Sequence, residues 1–447
     1  MRSMKARLRG RGYEGAGMTS IVTAVGTLAA AAACIFAVPV LAADNDVQAI
    51  VAARIYTAPD RAPIDDGVVL VRDGKIVAVG SRSAVQIPAT AQKYTQCDGG
   101  VLTAGFQNSH VHFLGPQFND AARQPADALA AQISRMLTSY GFTTVVDIGS
   151  MLDNTLALRA RIERGDVAGP RILTAGAPLY PENGIPFYLR DLPPEFLARL
   201  PQPASVEAAV AIVRANLERG ADATKLFVAT PQGNRQIAYM RLDIARAAAD
   251  ETHTHGKLVV AHPTDNEGVQ IAIAAGVDVI AHTTFEGGPS IWPPEQTAAL
   301  VAHHMSLVPT LKLWPYELHK AQLPPDFVER ALGDAIEQVR GFAAAGGQVL
   351  FGTDVGYMTD YDPTDEYAYL ARALTPLQIL ATLTTAPAAR WQESASRGSI
   401  DAGKDADLVM LDADPVQDAR RFADVRCTIR EGRLIYSRPP TPPVPSN

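Results

Sequence analysis

Gly105-Phe106-Gln107-Asn108-Ser109-His110-Val111-His112-Phe113 follows the apolar pair Val101-Leu102 and reads as a β-strand that closes on two histidines. Side chains i and i+2 of a strand point to the same face. His110 and His112 therefore aim two imidazoles at one point, and neutral imidazole is a good ligand for a divalent metal such as Zn²⁺. The plain alternative is a strand with a buried, hydrogen-bonded histidine pair. A lone His-x-His does not choose between the two; the strands that follow do.

From 101 to 397 apolar strands alternate with helical patterns. Strands are expected at 101–113, 143–148, 171–176, 223–229, 257–262, 278–283, 306–311 and 348–354, with helices between them, such as 127–140, 206–219, 242–255, 266–275 and 325–345. This alternation predicts parallel strands with crossover helices. Eight such units suit an α/β fold of the (β/α)8 TIM-type barrel class. An open doubly wound sheet is the competing architecture, but no Gly-rich dinucleotide fingerprint follows any strand.

Short strands flank this region. The Asp73-Gly74 and Glu431-Gly432 pairs, each between apolar runs, signal hairpins. Neither group suffices for a stable β domain. Segments 44–100 and 398–437 are therefore expected to form one small β-sandwich from both chain ends. Pro-rich residues 438–447 read as a disordered tail.

At the N-terminus, Arg2, Lys5, Arg7, Arg9 and Arg11 precede an apolar, Ala-rich stretch that ends in Val40-Leu41-Ala42-Ala43. That order predicts a signal peptide over 1–43, hence an exported, periplasmic or secreted protein with no stable membrane association after cleavage. The alternative is a retained membrane anchor. The formal charge of −7 shows no basic face for nucleic acid. Beyond the signal, Cys97 and Cys427 remain. In an oxidising compartment they could pair; two buried free thiols are the alternative.

Barrel enzymes place their chemistry at the C-terminal ends of the strands. Here the first strand ends in His110 and His112, the fourth carries Lys225, the fifth ends in His262, the sixth in His282 and the eighth in Asp354. Each alone has an ordinary structural explanation. Together they are hard to explain by packing, because unpaired buried charge is costly.

With these residues the chain resembles a metal-dependent hydrolase of the amidohydrolase superfamily, and within it the imidazolonepropionase-like group that includes metal-dependent prolidases and ochratoxin-type amidases. Gly403-Lys404-Asp405-Ala406-Asp407-Leu408-Val409 resembles the superfamily's C-terminal segment. The resemblance implies a binuclear centre of two divalent metal ions, Zn²⁺ foremost. His110, His112 and Asp354 would hold the first ion, and His262 and His282 the second. Lys225 would bridge them as an N-carboxylated lysine. Water activated by metal would attack an amide carbonyl, with Asp354 as the catalytic proton shuttle. The amide of a dipeptide or an N-acyl amino acid is the expected small-molecule substrate. The same centre acting on a lactone, cyclic amide or phosphoester is the alternative, and a non-catalytic metal- or carbohydrate-binding protein is the competing class. A homo-oligomer is compatible with all three. One departure stands out: the fifth strand end reads His262-Pro263-Thr264-Asp265, where prolidase-like relatives often carry His-Ala-His.

Substrate contacts are expected from loops at the strand ends: Tyr180, Tyr188 and Arg190 on the long segment 178–203, which holds seven prolines, then Gln232, Trp314, Tyr316 and Tyr357. Arg190 is suited to a carboxylate. His253 and His255 read as the end of a helix, where i and i+2 do not share a face. His303 and His304 read as a surface helix end, and His319 as a residue of a loop or short helix that could approach substrate.

Overall fold

The computed structural model describes residues 46–233, 235–285 and 291–439. The signal expected over 1–43 and residues 440–447 of the expected tail lie outside them.

Both ends of the described chain enter one mixed eight-stranded sheet. Across it run Arg433–Ser437, Val425–Arg430, Leu408–Leu411, Val101–Ala104, Gln48–Tyr56, Ile64–Arg72 and Lys75–Ser81, with Gln92–Lys93 beside Gln48–Tyr56. The Asp73-Gly74 hairpin joins Ile64–Arg72 to Lys75–Ser81 in antiparallel register. The ends meet because Val101–Ala104 runs parallel to Gln48–Tyr56 and antiparallel to Leu408–Leu411. Ile50, Ile55, Val69, Leu102, Leu408 and Met410 bury one apolar face of this sheet.

Cys97 and Cys427 form a disulfide across 330 residues. It ties the two ends of the chain within this sheet. Removing a native disulfide costs about 2–5 kcal/mol. Cys97→Ser or reduction should therefore lower the melting temperature by several degrees; identical thermal unfolding with and without reductant would contradict this.

The unbroken strand expected over 101–113 divides at Gly105. Val101–Ala104 stays in the mixed sheet, and Phe106–Val111 opens a parallel one. A Cβ on residue 105 would lie 2.2 Å from Thr143 Oγ1, so only glycine passes where the chain crosses between sheets. Its N–H donates to the Asp407 carbonyl at 2.8 Å.

Two parallel sheets follow. One holds Phe106–Val111, Phe142–Asp147 and Arg171–Thr174; the other holds Ala223–Phe227, Leu258–His262, Val279–Ala281, Ser306–Val308 and Gln348–Val349. Backbone hydrogen bonds link them along both outer edges. On one side Leu179 N–H donates to Lys225 O at 2.9 Å, and Leu179 pairs in parallel with Leu226. On the other, Ser109 N–H donates to Phe351 O at 2.8 Å and Asp354 N–H to His110 O at 2.9 Å. Val146, Ile148, Val260, Val279, Val308 and Leu350 form one apolar cluster between these strands. Helices pack outside: Ile133, Val213, Ala248, Ile336 and Ile379 belong to a second, larger cluster.

Local signals set the helix ends. The Asp265 side chain accepts from Gly268 N–H at 2.8 Å to start Asn266–Ala275, and left-handed Gly276 ends it. Thr375 and Gln378 close a reciprocal capping box on Pro376–Leu383. None of the described helices is long and apolar enough to cross a membrane.

Candidate metal centre

The strand ends bring six side chains to one place. His110 lies near the end of Phe106–Val111 and His112 one residue past it; Lys225 sits inside Ala223–Phe227; His262 closes Leu258–His262; His282 follows Val279–Ala281; Asp354 follows Gln348–Val349. The His110–His282 and His262–His282 ring centroids are 4.6 and 4.8 Å apart, and His110–His112 5.2 Å. Exposure is 1% at His110, 2% at Lys225 and 4% at both His282 and Asp354.

His110, His112 and Asp354 offer ligand atoms that all lie within 4.8 Å of one another. Asp354 Oδ1 is 3.2 Å from His110 Nε2 and 2.9 Å from His112 Nε2. Neither pair is aligned as a hydrogen bond, so Oδ1 is a buried acceptor without one. His110 Nδ1, His112 Nδ1, His262 Nδ1 and Lys225 Nζ are likewise buried without partners. Such groups are costly to bury unless something compensates them. A donor set of imidazoles and a carboxylate matches a divalent metal such as Zn²⁺.

The electrostatics favour ligand forms. Burial lowers the His110 pKa to about 4 and those of His262 and His282 well below the usual range, keeping all three imidazoles neutral. Burial alone would raise the Asp354 carboxyl, but the His110 and His112 imidazoles outweigh it and hold Asp354 well below the usual carboxylate range. Burial brings the Lys225 amine down to about 7, opposed by the charge of Asp354. A neutral, nucleophilic amine is thus accessible at Lys225 near neutral pH.

The backbone is bent to serve these side chains. His282, Asp354 and Thr310 have φ of 73°, 58° and 46°. Positive φ at non-glycine residues is uncommon, costs about 1–3 kcal/mol each, and clusters at functional sites. Gly356 has φ 98°, and a Cβ there would fall 1.8 Å from the His112 carbonyl oxygen. The loop carrying Asp354 can therefore pass His112 only with glycine at that point.

Several further residues support these side chains, and of them only Tyr180 is a sequence candidate. The Thr310 hydroxyl donates to the Pro309 carbonyl at 2.9 Å, so it accepts from His282 Nδ1–H at 2.6 Å. That contact leaves His282 Nε2 unprotonated, as a metal ligand requires. Phe227 stacks on His262 at 4.5 Å, and Tyr180 on Phe227 at 4.7 Å. Asp147 accepts from Ser150, Thr155 and Thr174 hydroxyls at 2.6–2.9 Å, while Ser150 Oγ accepts Phe113 N–H, bracing the chain beyond His112.

The remaining candidate substrate residues fall into three sets. Tyr188 meets Tyr357 edge-on at 5.9 Å, and the Tyr357 hydroxyl donates to Glu317 Oε1 at 3.0 Å. Both phenols are pushed up, first by burial, with the charges of Asp354 and Glu317 adding to it. Tyr316 is half-buried on the same helix as Glu317. Arg190 donates to Gln232, which sits on the hairpin strand Ala229–Gly233 and donates to Thr230 Oγ1 at 3.0 Å. Trp314 is committed elsewhere: its N–H donates to Thr283 Oγ1 at 2.7 Å and its ring packs on Phe285. His253 pairs with Asp278 at 2.9 Å and His255 lies 3.3 Å from Glu251; His303, His304 and His319 are exposed.

The amidohydrolase family model matches residues 101–435. Ochratoxinase of Aspergillus niger is 21% identical over 431 residues, covering 89% of this chain and 88% of that protein. A putative prolidase from Bifidobacterium longum has a TM-score of 0.71 at 24% identity, covering 89% of this chain and 96% of that one. A prolidase solved with N-methylphosphonate-L-proline has a TM-score of 0.71 at 25% identity, covering 88% of this chain and 100% of that one. These neighbours imply a TIM-like barrel domain. A family match across most of the chain, on a fold that gathers His110, His112 and Asp354 into a metal-compatible group, means that this chain belongs to the amidohydrolase family and is a hydrolase acting on carbon–nitrogen bonds.

Proposed function

We propose that the protein is an exported two-metal amidohydrolase that cleaves the amide bond of a dipeptide or an N-acyl amino acid. The observation that carries this reading is the set of buried, partnerless polar atoms on His110, His112, Lys225, His262 and Asp354. His110, His112 and Asp354 would hold one ion, and His262 and His282 the other. Lys225, as a carbamate, would complete the ligand set. A plain ammonium has no lone pair to give and would repel two dications. When bound, divalent metals make water acidic enough to ionise near neutral pH and polarise a carbonyl.

The protein's own groups do the rest. Asp354 stays ionised beside His110 and His112, so it can accept a proton from the attacking water and return it to the leaving nitrogen. Tyr180, Tyr188 and Tyr357 would wall an apolar pocket. Arg190 would exchange Gln232 for the substrate carboxylate, the stronger, charge-assisted acceptor. On this reading the two parallel sheets, joined at both edges, close as a (β/α)8 barrel, and the mixed sheet is its small β-sandwich. The Cys97–Cys427 disulfide supports export, because such bonds persist in oxidising compartments.

The test is metal removal followed by a substrate panel. Full chelation should abolish hydrolysis of dipeptides or N-acyl amino acids, and added Zn²⁺ should restore it. Activity unchanged after complete metal removal would overturn the two-metal reading. Turnover of lactones or phosphotriesters alone would overturn the amide reading and keep the metal centre.

A further inference from the structure

One carboxylate near the centre has no role in metal binding or proton transfer. Glu317 lies on the helix Leu313–Lys320 that follows the seventh parallel strand, Ser306–Val308. Its Oε1 accepts the Tyr357 hydroxyl at 3.0 Å, which fixes the carboxylate by a residue three positions after Asp354. Tyr357 lies in the turn that Asp354 opens, where Met358 N–H donates to Asp354 O at 3.1 Å, and its ring meets that of Tyr188 edge-on at 5.9 Å. The cation beside Glu317 is Lys320, at 3.6 Å from Oε1 and with its side chain 60% exposed. An exposed i,i+3 pair at that distance contributes little and is easily exchanged.

A dipeptide carries its ammonium on the carbon next to the scissile carbonyl; an N-acyl amino acid carries none there. Glu317 is the carboxylate that Tyr357 holds beside the Asp354 turn, and it would be the partner for that nitrogen. A fixed carboxylate oxygen flanked by aromatic faces is the chemistry that recognises an alkylammonium. We infer that Glu317, held by Tyr357 and flanked by Tyr188, is a specificity-determining residue that binds the free α-ammonium of the substrate and selects dipeptides over N-acyl amino acids. This inference rests on the amide-hydrolase reading and narrows it.

The test uses the metal-loaded full chain and matched substrate pairs: dipeptides with varied N-terminal side chains, and their des-amino analogues, which lack only the ammonium. Wild-type kcat/KM should favour the dipeptide by at least about tenfold, the scale of one charge-assisted hydrogen bond. Glu317→Gln should erase that preference by slowing the dipeptide and sparing the des-amino analogue. Tyr357→Phe, which frees the carboxylate without removing it, should erode the preference partly. Equal or better hydrolysis of the des-amino analogues by the wild type overturns the inference and leaves the amide reading standing, without relying on any variant. Equal loss on both substrates in Glu317→Gln overturns it as well. If neither member of any pair is hydrolysed, the amide reading falls and the inference with it.

Discussion

Asp354→Asn should lower kcat by about 10²–10⁴-fold, the usual contribution of a positioned proton-transfer group. Asparagine keeps the shape and one oxygen of the carboxylate but cannot take a proton. The geometry around it should survive, because the backbone N–H of residue 354 still donates to His110 O and φ at 354 is tolerated by asparagine better than by most residues. The loss should therefore fall on kcat far more than on KM. Metal content per chain, measured on the same sample, separates lost chemistry from a lost ion. A variant that turns over like the wild type would remove Asp354 from the mechanism.

Lys225→Met should have opposite effects on the metal-free and metal-loaded protein. In the metal-free chain, Lys225 buries an amine with no partner, and methionine of similar length removes that cost. The apo variant should melt at or above the apo wild type. With metal present the order should reverse, because binding stabilises only the protein that can hold the ions. The pH dependence has a defined sign. The Lys225 pKa falls from 10.5 to about 7 on folding. Between those values the unfolded chain holds a proton that the folded chain has released, so raising the pH favours folding. The apo wild type should gain stability relative to apo Lys225→Met across this window. Identical pH profiles would show that the amine is not buried unpaired. In the metal-loaded wild type, native mass should exceed the combined mass of the purified polypeptide and its metal ions by one CO₂, a difference absent from the variant.

Much of this centre was legible as a list of residues. His110, His112, Lys225, His262, His282 and Asp354 announce themselves because each ends or interrupts an apolar strand, where a polar side chain needs a reason. The parallel alternation was readable for the same reason: hydrophobic period and chain length are local properties. The reading of 101–113 as one strand was not correct, since the break at Gly105 depends on Thr143, which the chain brings there only after a helix. Thr310 and Glu317 carried no signal at all. A threonine after a proline and a glutamate on a short helix look like any others until folding sets them against His282 and Tyr357.

The sequence by itself determined the strand–helix alternation, the family and the candidate donor atoms, because residue type and spacing suffice to decide which side chains sit at strand ends. Only the tertiary structure decided which atoms are left without partners, which histidine nitrogen is free, and that Cys97 meets Cys427. Those outcomes depend on contacts between residues tens to hundreds of positions apart, and burial there moves the Lys225 amine and the His110 ring far from their values in water.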